Sequence, residues 1–274
     1  DVGRDAVVVA TKGGFLPFDG ERPADPAGYV HETFVENGPV DPADLAAGHH
    51  CIAPDAIETL LDRSLDALGL ATIDCYHVHN PETQLRVRSR EAVYDELEAT
   101  FERLERRVEA GDIGRYGVAT WRAFRVPPGA DDYLSLPEVV GRARSAARTV
   151  GRAETGFEAI QLPFNVHMAD AFTARNHEFA GERRSVLSVA HELGLDVFAS
   201  ASLGQGDLTG GLPPSVDAQL TGKTAAQRAI NFARSAPAVT CALVGTSDPD
   251  HVAENVAAGT FDPVGARAFD SVFQ

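Results

Sequence analysis

The stretch Ile73 to Pro81 reads I-D-C-Y-H-V-H-N-P, placing two imidazoles and a proline turn at the end of an apolar, strand-like run. A neutral imidazole there can hydrogen-bond a carbonyl oxygen while negative charge builds on it. The same H-x-H spacing at a strand end can instead hold a divalent ion, with His49, His50, Cys51 and Asp248 as further ligands to recruit. A second cation follows another apolar run: A-V-V-V-A-T, Ala6 to Thr11, ends in Lys12-Gly13-Gly14. Lysine occurs only at Lys12 and Lys223 in a chain that otherwise uses arginine, which suggests that an ammonium is specifically needed at Lys12. A buried ammonium beside a phenol stabilises the phenolate and brings a pKa near ~10 towards working range.

These residues need strands to carry them. Ala6 to Thr11 reads as a strand buried on both faces of a parallel sheet. Phe15 to Ala53 is rich in Pro, Gly and Asp and long for a connection, the signature of a lid or binding loop. Pro54 opens a helix with Ile57, Leu60, Leu61, Leu65 and Leu68 on one stripe, and Gly69 ends it. The His79 strand comes directly after. Ser89 caps a helix that stops at Gly111, and Gly114 to Thr120 is the third strand. Ser135 and Glu138 have capping-box spacing for the next helix, and Glu158 to Pro163 is the fourth strand. Later come a helix over Val186 to Leu193, a strand over Leu195 to Ser200, a helix over Ala225 to Ser235 and a strand over Val239 to Val244. Ser247 then caps a final helix.

Strand alternates with helix at about 40 residues per unit, which indicates parallel β/α architecture. No G-x-G-x-x-G or G-x-x-x-x-G-K-[ST] follows a strand, so a barrel is favoured over a doubly wound sheet. The fold class is α/β, a TIM (β/α)8 barrel incomplete as given, with about six of eight units read in a single domain over residues 1–274. Polar residues cluster after the strand ends: Lys12, His79 and Asn80, Thr120 and Trp121, Gln161 and Asn165, Ser200 to Gly206, Thr246 and Ser247. In such a barrel these ends share the face that carries the active site.

At these positions the chain resembles the aldo-keto reductase family. V-V-V-A-T-K-G-G resembles the family's third strand with its catalytic lysine, matched by Lys12, and I-D-C-Y-H-V-H-N-P its fourth, with the catalytic histidine matched by His79. Y-G-V-A-T-W and Q-L-P-F-N resemble the next two strands. S-L-G-Q-G-D-L-T-G resembles the loop after strand seven, and V-G-T-S-D-P-D-H-V-A-E-N the final cofactor-binding turn and helix. The resemblance implies hydride transfer between NADP or NAD and an aldehyde or ketone. It implies catalytic roles for Lys12 and His79 and cofactor contacts from Thr120, Gln161, Ser200, Leu203, Gly204, Gly206, Ser247, His251 and Asn255. His77 is demoted to the barrel wall.

Several positions depart from the family pattern. The basic pair that many members offer to the 2′-phosphate falls at about Thr246 and His251, which opens the way to NAD. The family's catalytic aspartate and tyrosine would precede Asp1, and of the tyrosines present only Tyr29, in the long loop, could swing in. The expectation is therefore a sequence that begins late, lacks the first two β/α units and is inactive as given, with exposed strand edges that invite pairing. Two other readings stand beside this one: a metal-dependent barrel hydrolase using His77 and His79, and a non-catalytic nucleotide-binding module of the same fold.

Composition bounds the partners. A formal net charge of -16 argues against nucleic acid or an anionic membrane surface. Few lysines, many arginines and the acidic excess suggest adaptation to high salt. The three cysteines, Cys51, Cys75 and Cys241, lie far apart and suit reduced thiols in a cytoplasmic protein. The expected partner is a small carbonyl compound.

Overall fold

Helices arise where apolar stripes run between a capping residue and a glycine, and strands where short β-branched runs follow those glycines. The computed structural model describes residues 3–273, with the side chains of 267, 268 and 271 excepted. The chain divides into two compact units, residues 1–123 with 128–159, and residues 124–127 with 160–274.

In the first unit, β1 (Ala10–Gly13) is followed by the long segment with a short helix α1 (Pro26–Val30), and then by α2 (Pro54–Leu68) and β2 (Ile73–His79). Next come α3 (Arg90–Ala110), β3 (Ile113–Ala119), α4 (Leu136–Thr149) and the opening residues of β4 (Phe157–Pro163). Sheet order is β1-β2-β3-β4. β1 and β2 are parallel with Lys12 opposite His77, and β2 and β3 are parallel with His79 opposite Ala119. Pro54 opens α2, and Gly69 ends it at φ 62°, a left-handed position that glycine takes without steric cost. Ser89 accepts the Ala92 N–H at 3.3 Å to start α3. At Gly117 in β3 a side chain would collide with the Ala159 carbonyl, so only glycine lets β4 approach.

Several boundaries differ from expectation. The first strand begins at Ala10, since residues Arg4–Ala6 form a 3-10 turn, and Val7 and Val8 are 44% and 65% exposed rather than buried. Asp74 marks the junction: its carboxylate accepts the Val9 N–H at 2.7 Å and pairs with Arg4, and the Val9 carbonyl makes the first backbone bonds to β2, accepting the Asp74 and Cys75 N–H groups at 3.1 and 3.2 Å. Residues 15–53 are not structureless: α1 leads into a π-helix over His31–Glu36, and Pro42–Asp44 form a 3-10 turn. Val30, Phe34 and Val40 are buried there. Ser135 stands at the start of α4 but its hydroxyl makes no cap, and Glu138 pairs instead with Arg142.

In the second unit, the remainder of β4 is followed by α5 (Asp170–Thr173), the hairpin β5 (His177–Phe179) and β6 (Glu182–Arg184), and α6 (Val186–Glu192). Then come β7 (Asp196–Ser200), α7 (Pro214–Asp217), α8 (Ala225–Ser235), β8 (Cys241–Ala242), α9 (Pro249–Ala258) and α10 (Ala266–Ser271). Sheet order is β4-β7-β8, and β7 and β8 are parallel. Phe164, Phe232 and Phe269 stack in its core, with ring centroids 5.0 to 6.3 Å apart. The strand expected over residues 239–244 is reduced to two residues. Among the described residues no helix is long and apolar enough to cross a membrane.

Candidate active site

Side chains alternate along β2, and the two faces do different work. Tyr76 is fully buried, its hydroxyl over Gly13 and close to Leu60 of α2, so this face is scaffold. The opposite face carries Cys75, His77 and His79. His77 is buried with the Cys75 sulfur 3.7 Å from Nε2, a wall position as expected. Lys12, its partner across the β1–β2 ladder, is exposed, so it does not have the buried setting that its chemistry led us to expect. β1 has no neighbour beyond it in the described sheet, and this leaves the ammonium in water.

Burial lowers the His79 pKa to about 3, helped by the positive charge of Lys12 and by His50 and His77. His77 falls to about 4 for the same first reason. Both rings are therefore neutral at pH 7, and a neutral ring offers one N–H donor.

What fixes His79 is a residue that sequence reasoning weighed only as a metal ligand. His50 is fully buried. The Gln84 amide nitrogen lies 3.0 Å from the His50 carbonyl oxygen, which can only accept, so that atom is a donor. It also lies 3.1 Å from His50 Nδ1, which therefore accepts. The ring proton is then on Nε2, which donates to the His79 carbonyl at 2.7 Å. Burial lowers the His50 pKa to about 4, consistent with this neutral tautomer. Phe15 meets His50 and His79 edge-on, at centroid distances of 4.7 and 5.0 Å. A Cβ at Gly14, where φ is 147°, would lie 2.7 Å from the His79 carbonyl oxygen, so the close approach requires glycine. The ends of the long segment are joined here, Cys51 N–H to Gly14 O at 2.8 Å and Leu16 N–H to His49 O at 2.9 Å. The H-H-C run just before Pro54 was the available sequence signal.

Beyond His79 the chain turns sharply. Asn80 takes a left-handed φ of 48° and donates its N–H to the Ala119 carbonyl at 2.6 Å. A 3-10 turn over Pro81–Arg86 follows. Within it Glu82 is buried, and its Oε1 accepts the N–H groups of Trp121 and Arg122 at 2.7 and 2.9 Å. Its Oε2 has no partner, and burial raises its pKa despite those bonds. Thr120 is also buried, with its hydroxyl unpartnered. A cleft of about 1200 Å³ opens here, lined by Phe15, Asn80, Glu82, Trp121 and four arginines.

None of the five tyrosines offers a hydroxyl to His79. Tyr29 donates to Asp19 at 2.9 Å, and Tyr94 accepts the Ser135 N–H at 2.8 Å. Tyr116 donates to Glu105, Tyr76 lies on the scaffold face, and Tyr133 stacks under Arg90. Tyr29, the one tyrosine that the long loop could bring in, is held by Asp19 instead. Nor does a metal site form: among the described residues no three His, Cys, Asp or Glu side chains come together to hold an ion. Both ring nitrogens of His50 are occupied, burial pushes the Cys51 thiol up to about 12, and Asp248 is spent as a helix cap.

In the second unit Gln161 and Ser200 are half-buried on β4 and at the end of β7. The loop after β7 carries Leu203, then Gly204 and Gly206 at φ 57° and 103°. Asn165 Nδ2 donates to the Ala201 carbonyl at 2.8 Å and holds that loop's start. At α9 the cap is Asp248, not Ser247: its Oδ1 accepts the Asp250 N–H at 2.9 Å, while Thr246 Oγ1 accepts the Asp248 N–H at 3.2 Å. Asp wins the position because Pro249 follows it and opens the helix. Ser247 and His251 are exposed, and Asn255 is half-buried.

A model of the Aldo/keto reductase family matches residues 1–128. That match covers a little under half of the chain. Among solved structures it is similar to the aldo-keto reductase AKR11C1 from Bacillus halodurans, in a holo form, at a TM-score of 0.62 and 16% identity. That likeness covers 98% of this chain and 73% of the other, and at this identity it shows the fold, β/α units of the TIM-barrel type. No curated protein matches the chain.

Proposed function

We propose that this chain is a reductase of the aldo-keto reductase kind, which reduces an aldehyde or ketone at His79 using NAD(P)H. The observation that carries the reading is the neutral His79 ring at the end of β2, held from behind by His50 and from the side by Phe15. Its N–H can donate to a carbonyl oxygen without reorganisation as negative charge grows there. Lys12, on the same face and open to water, adds a positive charge that stabilises the developing alkoxide, and water supplies the proton that completes the alcohol.

A nicotinamide, when bound, supplies the hydride. The first unit fits its amide at one point, the buried and unpartnered hydroxyl of Thr120. In the second unit Gln161, Ser200, Leu203, Gly204, Gly206, Ser247, His251 and Asn255 are the proposed nucleotide contacts. The start of α9 does not suit a 2′-phosphate, because Asp248 and Asp250 put two carboxylates where an extra anion would sit and Asp248 already occupies an N–H. We therefore favour NADH over NADPH.

The test has two readouts. Fluorescence titration of the reduced cofactors should show NADH binding more tightly than NADPH. Steady-state reduction of small aldehydes should lose about 10²–10³-fold in kcat on His79→Phe, the scale of one lost oxyanion donor. The absence of a tyrosine hydroxyl at His79 favours a second reading, a nucleotide-binding module without turnover. NADH binding with no aldehyde-dependent oxidation would decide for that reading.

A further inference from the structure

The cleft beside His79 has an electrostatic character opposite to that of the chain. Acidic residues outnumber Lys and Arg by 40 to 24 overall, yet the cleft is lined by Arg86, Arg88, Arg90 and Arg122 against only Glu82, Asp131 and Asp132. The commitments of these charges decide what is left over. Arg88 is spent on Asp44 and Glu96, and Arg122 on Asp132. Glu82 accepts two backbone N–H groups with Oε1. Asp131 is exposed at the rim. Arg86 is exposed and has no ion-pair partner among the described residues. Arg90 is held in place, with Nη2 donating to the Ala130 carbonyl at 2.9 Å and its guanidinium 5.7 Å over the Tyr133 ring. Its Nε is buried without an acceptor. The cleft thus holds one free guanidinium and one fixed guanidinium with an unfilled donor. Phe15 and Asn80, which flank His79 in space and in sequence, line the same cleft.

We propose that the cleft takes a carbonyl compound bearing a carboxylate, with Arg86 as the specificity-determining residue and Arg90 as its support. Resting on the reading of His79 given above, this narrows the substrate class to short aldehyde or keto acids. A guanidinium presents a planar fork of donors that matches a carboxylate, and a neutral aldehyde would leave that fork unused.

Trp121 is the only tryptophan in the chain and lines the cleft, so its fluorescence reports binding without requiring turnover. Succinic semialdehyde and butanal, of equal chain length with and without the carboxylate, are the probes. In the unaltered chain, succinic semialdehyde should bind about tenfold or more tightly than butanal, and the gap should shrink as salt is raised. Arg86→Gln should close the gap by weakening succinic semialdehyde alone, and Arg86→Lys should keep part of it. Arg86 is exposed, so far-UV circular dichroism should be unchanged. Equal binding of the two probes by the unaltered chain overturns the proposal, as does a gap that survives Arg86→Gln. A selective Trp121 response without NADH oxidation would sink the reductase reading and leave this one standing. Reduction of both aldehydes with equal affinity would do the reverse.

Discussion

Two buried glutamates of the first unit bracket β3, and they are buried on different terms. Glu105, on α3, meets the beginning of the strand layer: it accepts from the Tyr116 hydroxyl at 2.8 Å, the Thr155 hydroxyl at 2.6 Å and the Gly156 N–H at 2.9 Å, and pairs with Arg152 at 2.8 Å. Glu82, past the other end, has two backbone N–H partners and an unpartnered Oε2, and makes no ion pair among the described residues. A buried carboxylate needs a counter-charge and full hydrogen bonding to sit comfortably. Glu105 has both, and it lies where a β/α fold invests in stability. Glu82 lies beside the cleft and His79, where the same kind of fold puts chemistry, and there an unsatisfied group is tolerated.

That contrast can be broken from the Glu105 side first. Glu105→Ala should cost about 3–5 kcal/mol in urea unfolding, because it strands the Arg152 guanidinium and three donors at once. Glu82→Ala should cost less, about 1–3 kcal/mol, since two N–H groups lose their acceptor, and it should shift the Trp121 emission as its loop loosens. Glu82→Gln is the smallest change. It keeps an acceptor oxygen, so stability at pH 7 should move by no more than about 1 kcal/mol. Its use is in pH dependence. The Glu82 pKa is raised on folding above the ordinary 4.5, so the folded form holds its proton longer, and the contribution present below pH 4.5 is lost as pH rises through the folded value. Glu96 follows the same rule up to about 7, with burial as the main cause. His50, His77 and His79, whose pKa values are lowered on folding, act in the opposite sense and add stability as pH rises towards 6.5. In unfolding measured from pH 4 to 9 the Glu82 effect is therefore read as a difference: Glu82→Gln should gain stability relative to the unaltered chain as pH rises above 4.5.

Much of the first unit was legible because its boundaries carry chemical marks. Pro54 and Gly69 bound α2, Ser89 and Gly111 bound α3, and the strands fill the spaces that follow. Where marks compete or are missing, sequence reasoning failed. Ser247 and Asp248 are adjacent cap candidates, and only the position of Pro249 favours the second. The β5–β6 hairpin has three-residue strands rich in charge and a turn in which Ala180 and Gly181 take φ 53° and 82°, without the Asn-Gly signal that marks such turns. Val7 and Val8 have strand propensity, but the run meets β2 only from Val9 onward, and pairing is a tertiary fact. At the candidate site, Lys12 and His79 could be picked out from strand-end position, whereas His50 could not be assigned its role. Its bond to the His79 carbonyl joins residues 29 apart through a turn that no local pattern announces.

The joined ends of the long segment have a consequence for how this molecule can change. Because Gly14 to Leu16 and His49 to Cys51 are bonded to each other directly behind His79, the residues between them form a closed Ω-like excursion with its own small core at Val30, Phe34 and Val40. Lengthening such an excursion costs little closure entropy, about 0.6 kcal/mol for each doubling. Selection can therefore rewrite residues 17–45 as an exchangeable cassette, while Phe15, Ala47 and His49, which line the cleft, and the imidazole beside it keep their places.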